Sequence, residues 1–377
     1  MRVGPLDETE PVARTPDAPV TPAVLRWARE DADLTTADVA RFAGVKPAVA
    51  DAWEAGAAKP TLSQLRHLAD AMRRPVAFFL TPAPPKEHAK LPPDFRSHEG
   101  APSPGLRREV RSAQERRDAY LGFVGPVRDP WLAVVPTDSS SIREWLGVST
   151  EEIRQTLDPG AALKVWIRAL EQRGVLVFQM SRVDPAECRG FALAHWVCPV
   201  IVLNGADAPQ ARSFTLLQEL AHLLDREGGL CLLQDDVDIE RRCNRTAAAV
   251  LLPEEFVSTE ARSAGGLDLV DSVVRGFRVS PQVAAFRLRD LGLIDEEIVV
   301  QVLARVAAAA RRAAERKDSR GPAHHVLLRR NLGDRYVAAV VEAMHADSIS
   351  VTDAAYLLDA RVRTVQRLEQ AMAGSGR

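Results

Sequence analysis

In the stretch Arg212-Ser-Phe-Thr-Leu-Leu-Gln-Glu-Leu-Ala-His-Leu-Leu-Asp225, Gln218 stands four residues before His222 and Glu219 stands three before it. Residues four apart on a helix share one face, so Gln218 and His222 project together with Glu219 beside them. In the zinc-binding string His-Glu-x-x-His, two imidazoles hold the metal and the glutamate works on a bound water. Here a glutamine replaces the first imidazole. Zinc takes imidazole nitrogen, thiolate or carboxylate, whereas a glutamine amide offers a neutral, weakly basic oxygen. Losing a residue that only supports a ligand costs about 10–100-fold in metal affinity, so replacing a ligand itself costs at least that.

A carboxylate follows at Glu240, opening the stretch Asp238-Ile-Glu-Arg-Arg-Cys-Asn-Arg-Thr-Ala-Ala-Ala-Val-Leu-Leu-Pro253, which begins with acids and ends at proline as a helix does. Three readings follow. Zinc binds weakly through His222, Glu240, Gln218 and water; or Cys243 or Cys231 completes a rearranged site; or no metal binds and Gln218, His222 and Glu240 form a hydrogen-bonded cluster. The third is preferred to the first, and both to the second. If zinc binds, Glu219 is the base that takes the proton of a zinc-bound water attacking a peptide carbonyl.

These residues need elements to hold them. Phe214, Leu217, Ala221 and Leu224 recur at helical spacing and predict an amphipathic helix over 212–225 that ends at Gly228-Gly229. Before it, 141–146 and 161–172 read as helices and 174–180, 190–193 and 199–203 as short strands, with Asn204-Gly205 as a turn. A small sheet feeding a metal-type helix is the zincin arrangement. His195, after the second strand, reads as structural or as a substrate contact, and His324 and His325 have no partner at ligand spacing.

The chain ahead of this region has its own organisation. Residues 1–20 are proline-rich and read as a disordered lead. Residues 21–81 read as five short helices: 23–30, 36–42, 47–54, 61–72 and 75–80, with a Gly44-Val45 turn and Pro47 at a first helical position. That order, with Trp53-Glu54-x-Gly56-x-x-Lys59-Pro60, resembles the XRE (Cro/C1-type) helix-turn-helix family. The resemblance implies that 47–54 is a recognition helix and that duplex DNA is bound by a homodimer. The DNA face then comprises Arg41, Lys46, Pro47, Ala48, Asp51 and Lys59. The residues themselves are a weak fit, because none of Pro47, Ala48, Val49, Asp51 and Ala52 can make a bidentate base contact. Dimerisation or protein contact is the competing use of the fold.

Residues 82–105 are proline-rich and read as a linker. A helix follows over 106–123, with arginines at 107, 108, 111, 116 and 117 that either track phosphates or face solvent beside Glu109 and Glu115. Beyond 265 the chain reads as helical: one helix from Ser280-Pro281, a long one over 296–317, and over 347–372 a second helix-turn-helix-like pair. That pair is capped by Ser350 or Thr352, with Ala354, Leu357, Val362, Val365 and Leu368 inward.

The segment 212–225 followed by Glu240-x-x-Cys243-Asn244-x-x-Ala247-x-x-x-Leu251-Leu252-Pro253 resembles the ImmA/IrrE family of zinc metallopeptidases, many of which carry an XRE domain on the same chain. The resemblance implies that His222 and Glu240 match zinc ligands, that Glu219 matches the catalytic glutamate, and that Gln218 replaces a ligand.

Composition narrows the classes. A net charge of −2 over 377 residues gives no global pull toward nucleic acid or anionic membrane, so DNA binding must come from a local patch. No apolar run reaches the length of a membrane span, and four cysteines without C-x-x-C spacing read as free thiols in a reducing cytoplasm. The expected fold is mainly α with a small β-sheet (α+β): an XRE domain at 21–81, a zincin-like domain at 106–265 and a helical region at 266–377. The expected function is a DNA-binding transcriptional regulator whose metallopeptidase-like domain, with zinc weak or absent, is a sensor or interaction module. The alternatives are an active zinc endopeptidase cleaving a regulatory protein, and a scaffold that neither cuts nor binds DNA.

Overall fold

A computed structural model describes residues 17–32, 34–72, 74, 76–84, 102–125, 136, 138–225, 237–315 and 324–374. Most of the expected lead and linker, Cys231 and Gly228-Gly229 lie outside the described residues, as do the side chains of His324 and His325. The chain divides into two compact units, Met1–Lys90 and Leu91–Arg377. The fold is mainly helical with one small sheet, as the periodicities require.

The first unit packs α1 (Pro22–Asp31), α2 (Thr36–Ala43), α3 (Pro47–Glu54), α4 (Leu62–Met72) and a 3₁₀ turn, Val76–Leu80. Each boundary has a local cause. Thr35 accepts from the Asp38 backbone N–H while Asp38 accepts from that of Thr35, a reciprocal cap that starts α2. Gly44, at φ 68°, stops it in the left-handed region and turns the chain into α3. Trp53 is buried beside Leu25, Val39, Leu65 and Phe79. Its neighbour Glu54 is buried as well, because Arg29 Nε holds its carboxylate at 2.7 Å across α1 and α3. The Trp-Glu dipeptide thus carries the packing of this domain.

The second unit is layered about three strands, β1 (Leu176–Met180), β2 (Gly190–Leu193) and β3 (Val200–Asn204), in the order β1-β3-β2. β1 runs parallel to β3 and β2 antiparallel to it. Alternate residues point to opposite faces. Val177, Ile201 and Leu203 join a core with α6 (Ser139–Leu146), α7 (Thr150–Arg154), α8 (Pro159–Gln172), α9 (Pro209–Leu224) and α10 (Val237–Leu251). That core continues through α11 (Glu254–Glu260), α12 (Gly266–Phe277), α13 (Pro281–Asp290) and α14 (Glu296–Glu315). Leu176, Phe178, Val200 and Val202 face the other way, onto α5 (Pro104–Val124), α15 (His324–Leu332), α16 (Asp334–His345), α17 (Val351–Leu357) and α18 (Val362–Gly374).

The arginines of α5 are not a solvated stripe. Arg117 donates to the carbonyls of Val197 and Cys198, and the Arg116 guanidinium lies 5.6 Å from the centre of the Phe178 ring. Both are used to clamp α5 on the sheet, because Leu106, Val110, Ala113 and Tyr120 turn the helix apolar side inward.

Where α15 meets α16, Gly333 sits at φ 73° against Glu171, the last buried residue of α8. Glu171 Oε1 is buried without a hydrogen-bond partner. Burial, with the nearby charge of Asp334, pushes its carboxyl from an ordinary 4.5 up to about 7. A carboxyl raised in the fold is fully tolerated below its unfolded pKa and destabilises as pH climbs through its folded value. Stability should therefore fall by on the order of 2–3 kcal/mol between pH 4.5 and pH 8 from this group. Denaturant melts of wild type and Glu171→Gln across that range test it: the variant should lose that slope, and parallel curves would refute the assignment.

Candidate functional site

α9 is cut from a longer apolar pattern than its sequence stripe implies. Leu216, Leu217, Leu220, Ala221 and Leu223 are all buried, while Phe214 and Leu224 are only half-buried. The helix is therefore enclosed on most sides, and Gln218, Glu219 and His222 emerge on the remaining one. α10 lies along it and is fastened at the α9 terminus by an Arg242–Asp225 ion pair. That packing sets the head of α10 against the end of α9.

Four side chains meet there. His222 Nε2 lies 3.2 Å from Glu240 Oε1, and Gln218 Nε2 donates to Glu240 Oε2 at 3.1 Å. One carboxylate is thus spanned by an imidazole and an amide. On the other side of the imidazole, Cys243 Sγ is 3.4 Å from Nδ1. Cys243 therefore supports the ring from behind, because a group on Nδ1 cannot share an ion held at Nε2. The reading in which Cys243 completes a metal site does not fit this geometry. Cys243 is instead a small buried group, at 1% exposure.

The electrostatics follow from the same contacts. Burial disfavours a charged His222 ring, but the contacts with Cys243, then Glu240, and the Glu219 charge outweigh it and lift its pKa to about 10. Burial pushes the Glu219 carboxyl up to about 7, with His222 opposing and Glu240 adding. Cys188 is pushed up to about 12, chiefly by burial, so it is an unreactive thiol.

Zinc is the ion the motif implies. Catalytic zinc sites take three protein ligands and an open position. The cluster offers one imidazole nitrogen and one carboxylate, and its third member presents an amide N–H to that carboxylate. Among the described residues no group of three or more His, Cys, Asp or Glu is arranged to hold a metal. These residues do not fit a three-ligand zinc centre.

Gln218 also borders a cleft of about 830 Å³. Its walls carry Phe214, Val283 and Phe286 together with Arg189, Arg241, Arg245, Arg287 and Arg289, against a single acid, Asp290. Of these, Arg289 is paired with Asp290 and Glu296, and Arg287 donates to the Leu252 carbonyl. Sequence reasoning passed over the cleft, since its arginines come from the start of β2, from α10 and from α13. His195, by contrast, is engaged at 2.9 Å by Gln114 of α5 and belongs to the packing of that helix.

In the N-terminal unit, Lys46, Pro47, Ala48, Val49, Asp51 and Lys59 are all exposed, and Arg41 is exposed while paired to Asp38 at 2.7 Å. The outward face of α3 is apolar and acidic where a groove-reading helix carries hydrogen-bonding side chains. Phe42 of α2 and Val49 of α3 are among the exposed large hydrophobic residues.

The fold is that of a helix-turn-helix unit followed by a mainly helical unit with a three-stranded sheet, in which Gln218, His222 and Glu240 meet. Comparison with known families agrees: residues 25–79 match the family described as Helix-turn-helix, and residues 170–289 that described as IrrE N-terminal-like domain. The chain therefore carries the fusion of an XRE-type helix-turn-helix with an ImmA/IrrE-like domain. No curated protein matches it. Among the described residues no helix is long and apolar enough to cross a membrane.

Proposed function

We propose that this protein is a cytoplasmic DNA-binding transcriptional regulator in which the IrrE-like domain is a sensor or interaction module. The observation that carries the reading is the Glu240 carboxylate, held from both sides by Gln218 and His222 at the place where a metal would sit. A helix-turn-helix on the same chain supplies the DNA-binding arm, and the arginine-lined cleft beside Gln218 offers the module a place to bind an anionic partner. The DNA arm works as a homodimer on duplex DNA, with Lys46 and Lys59 at phosphates and Arg41, Pro47, Ala48 and Asp51 bordering the groove.

Each phosphate neutralised releases counterions, so affinity should fall steeply with salt. In a titration of duplex from the protein's own promoter region, Lys46→Ala/Lys59→Ala should reduce the slope of log affinity against log salt by about 2. No shift by wild type at low salt would favour a scaffold that binds only protein.

A second reading keeps one specific support. Glu219 remains where a zinc peptidase has its base, and burial holds its carboxyl near neutrality, in the range useful for proton transfer. An active endopeptidase acting on a regulatory protein would lose all cleavage in Glu219→Gln. Burial, with the Glu240 charge adding, accounts for the shift without any catalytic role, so this reading stands second.

A further inference from the structure

The three helices nearest the C-terminus repeat the N-terminal helix-turn-helix in register. Ser350 caps α17 as Thr35 caps α2, with the same reciprocal bond, here to Asp353 and there to Asp38. The residue that turns the chain after α17 is Asp359, at φ 47°, in the place of Gly44 at 68°. The next backbone bond is also the same, Ala360 N–H to the Ala355 carbonyl at 2.9 Å and Val45 N–H to the Ala40 carbonyl at 2.9 Å. Inward residues coincide too: Ala354, Ala355, Leu358, Val365 and Leu368 are buried, as are Val39, Ala40, Ala43, Ala50 and Trp53. Finally, Glu369 of α18 is tied to His345 of α16 at 2.6 Å, just as Glu54 of α3 is tied to Arg29 of α1. Val362, an inward residue by sequence periodicity, is 39% exposed, as its counterpart Pro47 is exposed.

The two units differ where it matters for DNA. On α3 the outward positions are Ala48, Val49, Asp51 and Ala52; on α18 the same positions are Arg363, Thr364, Gln366 and Arg367. Arg363, Gln366 and Arg367 are exposed, on one helix face by their spacing. Arginine pairs with the acceptor edge of guanine and glutamine with adenine in the major groove. Arg361, at the Lys46 position, adds a further exposed cation for phosphate. Packing alone asks only for the inward residues, and nothing in the core requires this face to be basic.

We propose that α16–α18 form a second helix-turn-helix and that α18 enters the major groove of duplex DNA, with Arg363, Gln366 and Arg367 toward the bases and Arg361 on the backbone. This unit lies outside both family matches and is independent of the N-terminal domain. The test uses the full chain and a fluorescein-labelled 30-base-pair duplex of mixed sequence, followed by anisotropy from 50 to 200 mM salt. Arg363→Ala/Arg367→Ala should melt as wild type does and bind roughly ten- to a hundredfold more weakly, while Arg361→Ala should lose about 1 from the salt slope. Arg363→Lys/Arg367→Lys should recover part of that affinity, since lysine also donates to guanine, which a purely structural role would not predict. Wild-type affinity in the alanine pair overturns the proposal. Loss in that pair with none in Lys46→Ala/Lys59→Ala supports it and overturns the N-terminal reading instead, and absence of any binding by wild type overturns both.

Discussion

Gln218→His is expected to turn a protein that holds little zinc into one that binds about one ion per chain, at least 10–100-fold more tightly. The geometry explains why one residue should suffice. Gln218 and His222 already converge on the same carboxylate, at 3.1 and 3.2 Å, so an imidazole at 218 would complete two nitrogens and one oxygen around a common point. Cys243 already lies behind His222 at Nδ1, in the position of a supporting group that holds a ligating ring. Competition against a chromophoric chelator reads the affinity directly. A variant with wild-type zinc affinity would mean that the cluster is shaped against the metal by more than the identity of residue 218. Glu219→Gln in the Gln218→His background should keep the metal, since residues 218 and 222, four apart, share the helix face that presents the ligands and Glu219 stands beside it.

Gly333→Ala is expected to cost roughly 2–5 kcal/mol, the largest loss foreseen for any substitution away from the site. At φ 73° an L side chain is strained. In addition, a Cβ there would run into Glu171 Oε1 and come within 2.8 Å of the Val177 carbonyl, and the latter is sheet backbone that cannot step aside. Because Gly333 joins α15 to α16, the damage should fall on the packing of the C-terminal helices against β1. Thermal melts and hydrogen exchange would show it as early opening of α15 and α16. A melt unchanged within about 1 kcal/mol would show that this joint relaxes freely.

Much of the architecture was legible because period and punctuation agreed. The turn at Gly44, Ser350 as one of the two caps open before α17, and the three short runs that pair as strands each state a local rule that the packing did not override. α9 was read correctly as a helix but with too narrow an apolar stripe, because a helix buried between sheet and helices needs Leu216, Leu220 and Leu223 inward as well. The α5 arginines misled for the opposite reason: their charge suggests solvent or phosphate, while Arg116 and Arg117 spend it on a ring face and two carbonyls.

At the site, Gln218, Glu219 and His222 could be named from spacing and Glu240 from the family resemblance, yet not their relations. Nothing in the sequence says that Glu240 bonds to Gln218 and His222 together, or that Cys243 takes the far nitrogen. Those facts depend on how α10 lies along α9. The cleft was illegible for the same reason, since Arg189, Arg245 and Arg287 meet only through tertiary packing. The C-terminal pair read from the sequence as helix-turn-helix-like, without its register. Its match to the N-terminal unit emerged from backbone angles and bonds, where Asp359 does the work of Gly44 without sharing its side chain.

The central claim is that the IrrE-like domain holds a polar cluster in place of a zinc centre. Its most direct test is the metal content of wild-type protein and of Gln218→Ala, both purified without added zinc and without chelator. The account expects zinc far below one equivalent in each, with no difference between them. Tight stoichiometric zinc in wild type that disappears in Gln218→Ala would contradict it, make the glutamine a true ligand and restore the endopeptidase reading.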